Sequence, residues 1–467
     1  MLFLLLTADL LARAQPALDA VRPQAISAHV RFLSDDLLEG RYSGSRGHAI
    51  AERYFAAQLA ALGIDSNLQK VPLREARTDG STFDADGAPL PDVVVAGDGG
   101  ASRDIEGDLV FCGYGQSADI PRDLRGKIAL VFSGAPPSLP STERAIASSN
   151  AAKLERLAKA GASLEIVLRT PDLEQRQPWP ATKRNYRNGE TFAADDLPPM
   201  PVVLLSLPDS ERIRSARKAR LHLAQTVRAY DSANVIGTLP GASRETIVYS
   251  AHLDHHGICA PEAKDSICNG AIDNATGIGE LLEIARGFAA LQHRERTVLF
   301  IAFTGEELGL LGSGWFVRHP AVPAQDMIAN LNLDQVLPAG PVHELVLRGA
   351  ELSTLEDHVR AATGALGISI GADPVPEQNF FARSDQFNFA KIGVPSACLW
   401  QGFGGDPRYE AAFKDFRAHR YHQPSDEWLP SYDWDAAAQM ARAELLTGIS
   451  LLSGEPPKWK SGAPFSR

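Results

Sequence analysis

Between His48 and Leu62 apolar residues recur every three to four positions, and Gly63 ends the run, so the pattern predicts an amphipathic helix. Gly40, Gly44 and Gly47 read as a loop ahead of it. From about residue 230 the pattern changes. Glu245–His252, Arg296–Phe303, Met327–Leu333 and Val394–Trp400 are short, nearly unbroken apolar runs, which predict buried strands. Ile278–Leu291 and residues 435–452 read as helices. Buried strands alternating with helices predict an α/β domain, a mixed, largely parallel sheet sandwiched by helices. In such sheets ligands bind beyond the carboxyl ends of the strands.

Residues 80–228 have a different texture, rich in Gly, Pro and Asp. Short β-like runs at 108–113 and 127–132, a helix near 151–161 and a polar, Pro-rich stretch over 172–200 predict a small inserted β-rich α+β domain. The α/β domain then comprises residues 15–79 and 229–455, with 456–467 as a tail. Residues 1–14 are apolar and end in Ala12-Arg13-Ala14, as a secretory signal peptide does. Asp9 and the lack of an early basic residue also allow an amphipathic first helix. The signal reading places the protein in the periplasm or outside the cell.

Composition narrows the function. The 467 residues are 44% hydrophobic, enough for substantial cores. The net charge is −11 with no basic stripe, which excludes nucleic acid as the expected partner. No later run is long enough to span a membrane, so no membrane insertion is expected after signal removal. None of the four cysteines forms a C-x-x-C pair. Cys259 and Cys268 flank one short polar segment, either as a local disulfide or as free thiols, while Cys112 and Cys398 sit in apolar, core-like runs.

Polar residues collect where the predicted strands end: His252 and Asp254, then Asp273, Glu306 and Glu307, Asp334, and later Tyr421 and His422. Any one of these is unremarkable, since carboxylates cap helices and lone histidines are commonly structural. Their convergence on one sheet edge is what points to a metal site. His and carboxylate are ligands suited to zinc. There is no H-E-x-x-H helix, no G-x-S-x-G elbow and no phosphate-binding glycine loop.

The strings Ser250-Ala-His-Leu-Asp-His255, Asn269-Gly-Ala-Ile-Asp-Asn-Ala-Thr-Gly277 and Phe303-Thr-Gly-Glu-Glu-Leu-Gly-Leu-Leu-Gly-Ser313 resemble the co-catalytic dizinc exopeptidases, peptidase family M28. Asn332-Leu-Asp334, Ser384-Asp385 and Tyr421-His-Gln-Pro-Ser-Asp426 continue the likeness in order. It covers about 20–75 and 230–455, and the middle segment resembles the protease-associated domain many members insert. Ile272 departs from the Asp or Asn often found before the bridging ligand.

The resemblance implies the zinc exopeptidase fold and two Zn²⁺ per chain. Asp273 would bridge them, with His252, Glu307, Asp334 and His422 as the other ligands. Two such ions ~3.5–4 Å apart repel by roughly 20 kcal/mol at an effective dielectric of about 20. Three carboxylates and a metal-bridging hydroxide would balance the charge. Glu306 would be the general base, its side chain turned away from Glu307 by strand alternation. Asp254 would hold His252 in its metal-binding tautomer. Tyr421 would stabilise the oxyanion or simply pack. Arg383 would bind a substrate carboxylate or structure its loop. The expected activity is removal of N-terminal residues from peptides. A carboxypeptidase or dipeptidase, and a non-catalytic binding module, remain as alternatives. A glutaminyl cyclase of the same clan uses one zinc, which the full ligand set opposes.

Overall fold

The computed structural model describes residues 2–139, 144, 147–187, 189–262, 265–378 and 380–466. These divide into two units, Met1–Val71 with Ser232–Arg467, and Pro72–Asp231.

The first unit is built on a sheet. Its strands are β1 (Asp65–Arg77), β2 (Thr226–Leu239), β3 (Ser243–His252), β4 (Arg296–Phe303), β5 (Met327–Asn332) and β6 (Ser396–Cys398). They lie in the order β6-β5-β3-β4-β2-β1. β3, β4, β5 and β6 run parallel, and β2 joins β4 antiparallel. The chain leaves this unit along β1 and returns along β2.

Alternation along β3 splits the core in two. Ile247, Tyr249 and Ala251 pack with the helices α1 (Leu2–Ala20), α2 (Pro23–Leu33), α4 (Thr276–Ala290) and α9 (Trp434–Ser453). Val248 faces the opposite layer, with Phe316 of α5 (Leu311–Arg318) and Phe389 of α7 (Gln386–Lys391). The remaining helices are α3 (Arg46–Ala61), α6 (Leu355–Leu366) and α8 (Pro407–His419). Side-chain caps start several of them: Ser45 accepts from His48 N–H at α3, and Asp433 from Ala436 N–H at α9. The architecture is thus α/β with a largely parallel sheet between helical layers. α1 runs through the expected signal cleavage position, and Leu10, Ala14, Ala17 and Leu18 are buried in this core.

One expectation needs correction, and one stretch gains elements that its composition did not predict. The Val394–Trp400 run is not one strand but β6 and a short piece, Trp400–Gln401, which pairs with Glu344–Val346 in a separate sheet. The Pro-rich stretch 172–200 is not featureless. It holds the helices Pro171–Arg176 and Trp179–Asn185, each with proline in its first turn where the missing N–H costs nothing, and the strand Glu190–Ala193.

The second unit has its own core. Strands Arg103–Phe111, Lys127–Phe132, Leu164–Leu168 and Val202–Leu205 pair in parallel, flanked by antiparallel strands such as Lys218–Leu223. The helix Asn150–Lys159 buries Leu154 and Leu157. No helix among the described residues is long and apolar enough to cross a membrane.

Candidate metal centre

His252 is the last residue of β3, Glu306 and Glu307 follow β4, and Asp334 lies two residues past β5. Asp273 sits in the tight turn before α4, and His422 follows α8. The strand ends bring these distant positions together. His252 Nε2 lies 3.2 Å from Asp273 Oδ1 and 3.5 Å from Asp334 Oδ1. His422 Nε2 lies 3.2 Å from Asp273 Oδ2 and 3.3 Å from Glu307 Oε2. Asp273 therefore faces a histidine from each of its oxygens.

Two further histidines join that the sequence reading assigned no role. His255 Nδ1 is 2.7 Å and His256 Nε2 3.2 Å from the two oxygens of Glu307. The signal was in plain sight: three histidines within five residues of one strand end. Three donor sets can each cradle a cation: His252, Asp273 and Asp334; His255, Asp273 and Glu307; His256, Glu307 and His422.

Neighbouring loops fix these groups. Asp426 accepts the N–H groups of Ile272 (2.9 Å) and Asp273 (3.0 Å). Asn274 donates to Leu333 O and accepts from Gln335 N–H, tying the Asp273 turn to the Asp334 loop. The Asp273–Asn274 peptide is cis. Gly270 (φ 60°) leaves no room for a side chain, because a Cβ there would lie 2.2 Å from Asp273 O. Arg41 is fully buried and donates to the carbonyls of Leu33, Leu253, Asn269 and Gly270. His422, Gln335 and Arg41 hold left-handed φ values of 57°, 59° and 51°. Such strain in non-glycine residues gathers at functional sites.

Two geometric expectations change. His252 is held not by the Asp254 carboxylate, 3.9 Å away, but by its carbonyl, 3.1 Å from Nδ1. With Nδ1–H donating there, Nε2 keeps its lone pair for a ligand. The carboxylate accepts instead from Ser43 Oγ (3.0 Å) and Glu306 N–H (3.2 Å). β4 stops at Phe303, so strand alternation does not separate Glu306 from Glu307. A turn through Gly305 (φ 68°) does, setting Glu307 among the three histidines while Glu306 feels the charges of His252 and Asp334.

The electrostatics are those of a site short of positive charge. Burial, then crowding by Asp334, Glu307 and Asp385, hold Glu306 well above the carboxylate range despite His252. Burial opposes charge on His252, yet Glu306, Asp273 and Asp334 hold it well above the ordinary imidazole value. Burial pushes Asp385 up to about 7, with Asp254 and Asp334 adding to it. His252 Nε2, His256 Nε2, His422 Nε2 and Asp334 Oδ1 are buried and lack hydrogen-bond partners. Buried polar atoms are rarely left so. Lone pairs of imidazole and carboxylate converging on one space fit zinc.

Tyr421 stacks on the His422 ring at 3.7 Å, and the Arg417 guanidinium carbon lies 3.6 Å from the Tyr421 ring centroid. Burial raises its phenol well above the ordinary value. Arg383 is exposed, its guanidinium 5.5 Å from the Phe380 ring. Cys259 and Cys268 form a disulfide across the hairpin that leads from His256 toward Asp273, and Cys112 and Cys398 are free and buried.

Comparison with known proteins agrees with this picture. Residues 234–447 match peptidase family M28. The chain is 27% identical to aminopeptidase YwaD of Bacillus subtilis over 83% of its own length and 76% of that protein's. It is 26% identical to a probable lipoprotein aminopeptidase, LpqL, of Mycobacterium tuberculosis, over 46% of this chain and 43% of the relative. An aminopeptidase from Aneurinibacillus sp. strain AM-1 shares the fold with a TM-score of 0.61 at 19% identity, covering 96% of this chain and 97% of that one.

Proposed function

We propose that this chain, whose residues 234–447 match peptidase family M28, is a dizinc aminopeptidase whose ions are held by His252, Asp273, Glu307, Asp334 and His422. The observation that carries the reading is the pair of imidazoles meeting opposite oxygens of Asp273. His252, Asp273 and Asp334 would form one half-site, and His422, which faces both Asp273 and Glu307, would anchor the other, so Asp273 would belong to both. Bound zinc supplies a Lewis acid for the peptide carbonyl and lowers the pKa of water toward ~7.

Glu306 is the proton carrier. It takes the proton of the attacking water and returns it to the departing amine. Cations held by Asp334 and Glu307 would offset two of the charges that raise its pKa, which would favour its base form. Asp254 positions it by holding its N–H, and Ser43 braces the same turn by accepting Gly305 N–H at 2.9 Å. Tyr421 steadies the His422 ring by stacking on it and would support the oxyanion. The surplus of carboxylates favours a substrate's free α-ammonium group, as the similarity to aminopeptidases also suggests.

Residues 80–228 are proposed as a protease-associated-like insertion, supported by the independent core of that unit. Export is proposed on the apolar N-terminus together with the Cys259–Cys268 disulfide, which persists in an oxidising compartment.

The base assignment is tested with Glu306→Gln. The variant is expected to bind zinc as the wild type does while kcat for an aminoacyl chromogenic amide falls roughly 10²–10⁴-fold. Turnover within threefold of wild type would reject it.

A further inference from the structure

Three arginines surround one aromatic ring beside the metal centre. The guanidinium carbons of Arg348, Arg417 and Arg383 lie 4.1, 5.4 and 5.5 Å from the Phe380 ring centroid. No two of them can be further apart than twice that reach, so three like charges share a small volume. Arg348 is also 4.1 Å over Trp400 and buried, with Nη2 lacking any hydrogen-bond partner. Arg417 Nη1 is likewise buried and unpartnered. One carboxylate answers the cluster, Asp373 at 3.5 Å from Arg348 Nε. Among the described residues neither Arg383 nor Arg417 makes an ion pair.

The cluster is linked to the metal centre along two routes. Arg417 lies over Tyr421, whose ring stacks on His422. Trp400 Nε1 donates to Gln335 O, and Gln335 Nε2 donates to Asp273 Oδ2 at 3.2 Å. Arg383 Nη1 donates to Gln378 O at 3.5 Å, whereas Arg348 Nη2 and Arg417 Nη1 have no partner, and guanidinium N–H edges match a carboxylate in geometry and charge. Three arginines answered by one carboxylate leave a surplus of positive charge on this side, which is a recognition element.

We propose that Arg348, Arg383 and Arg417 form an anion subsite that takes a carboxylate of the peptide substrate. The proposal rests on the peptidase reading for the identity of its ligand. The carboxylate has two sources, an acidic side chain near the scissile bond or the C-terminus of a very short peptide. The sequence placed only Arg383 in this role, as one of two options. Arg417 comes from α8 and Arg348 from the segment after Val346, neither near Arg383 in the chain.

The test compares acid with amide in zinc-loaded protein: kcat/KM for Glu- against Gln-p-nitroanilide, and for Ala-Leu against Ala-leucinamide. At least one pair should favour the acid by tenfold or more, and the preferred pair identifies the source. Arg417→Gln and Arg383→Gln, at half-buried and exposed sites, should each bring that ratio toward one, and raised salt should do the same. Equal rates within both pairs would overturn the subsite. If zinc is absent and no peptide is cleaved, the peptidase reading fails instead. Calorimetric binding of Glu-Leu and Gln-Leu to the Glu306→Gln protein then decides the subsite. Tighter binding of Glu-Leu, or of Ala-Leu over Ala-leucinamide in the same assay, upholds it, and equal binding within both pairs overturns it.

Discussion

Asp426 touches no metal-ligand side chain, yet both its oxygens are spent on the N–H groups that set the Asp273 turn. It is buried, and burial pushes its pKa up to about 7, so its value lies in those two bonds and not in exposed charge. Asp426→Ala should therefore weaken zinc binding about 10–100-fold, as loss of an outer partner does. Competition with a fluorescent zinc chelator measures this, and unchanged affinity would show that the turn holds itself. The His and carboxylate side chains at the strand ends were legible residue by residue because both are ligand types suited to zinc. The supporting groups were not. That Asp254 acts through its carbonyl, or that Arg41 clamps four carbonyls, depends on main-chain positions no spacing rule encodes. Glu306 and Glu307 were expected to diverge by strand pleating, and they diverge instead through a turn at Gly305.

Helices α4 and α9 carry an acid each into the apolar core. Glu280 and Glu444 are fully buried, and Glu280 has no hydrogen-bond partner for either oxygen. Burial raises Glu444 to about 8 and Glu280 well above the carboxylate range, and the charge of Glu444 adds to the shift of Glu280. The folded chain thus holds these protons more tightly than the unfolded chain, whose carboxyls titrate near ~4.3. Their contribution is fully present below that value and is lost as pH rises toward 8. Glu444→Gln should match wild type in Tm at pH 5 and exceed it by a few degrees at pH 9. A constant difference at both pH values would exclude titration of Glu444 as the cause. The strands β3, β4 and β5 were legible because both faces are buried, which makes each an unbroken apolar run. β6 was overextended, since Leu399 and Trp400 stay apolar after the chain has left the sheet. The hairpin Gly257–Cys268 was not predicted, but its disulfide closes a loop short enough to be worth roughly 2–3 kcal/mol. Thiol titration of the unfolded, unreduced protein should find two thiols, Cys112 and Cys398. Four would mean that the hairpin is not cross-linked.

At the scale of the whole molecule, the two units have separate cores, and every residue assigned to chemistry belongs to the one formed by Met1–Val71 and Ser232–Arg467. The sheet of that unit gathers side chains spread over 171 positions of sequence, from His252 to His422, into a pocket with more buried carboxylates than protein cations. Such a pocket is stable as a set of ionised groups only with cations in it. The most direct test is zinc content by mass spectrometry of the elements, after dialysis against metal-free buffer, for wild type and Asp273→Ala. The account predicts close to two zinc ions per wild-type chain and loss of both in the variant, since both half-sites share that carboxylate. A wild type that holds no zinc, or an Asp273→Ala protein that keeps the full complement, would contradict it.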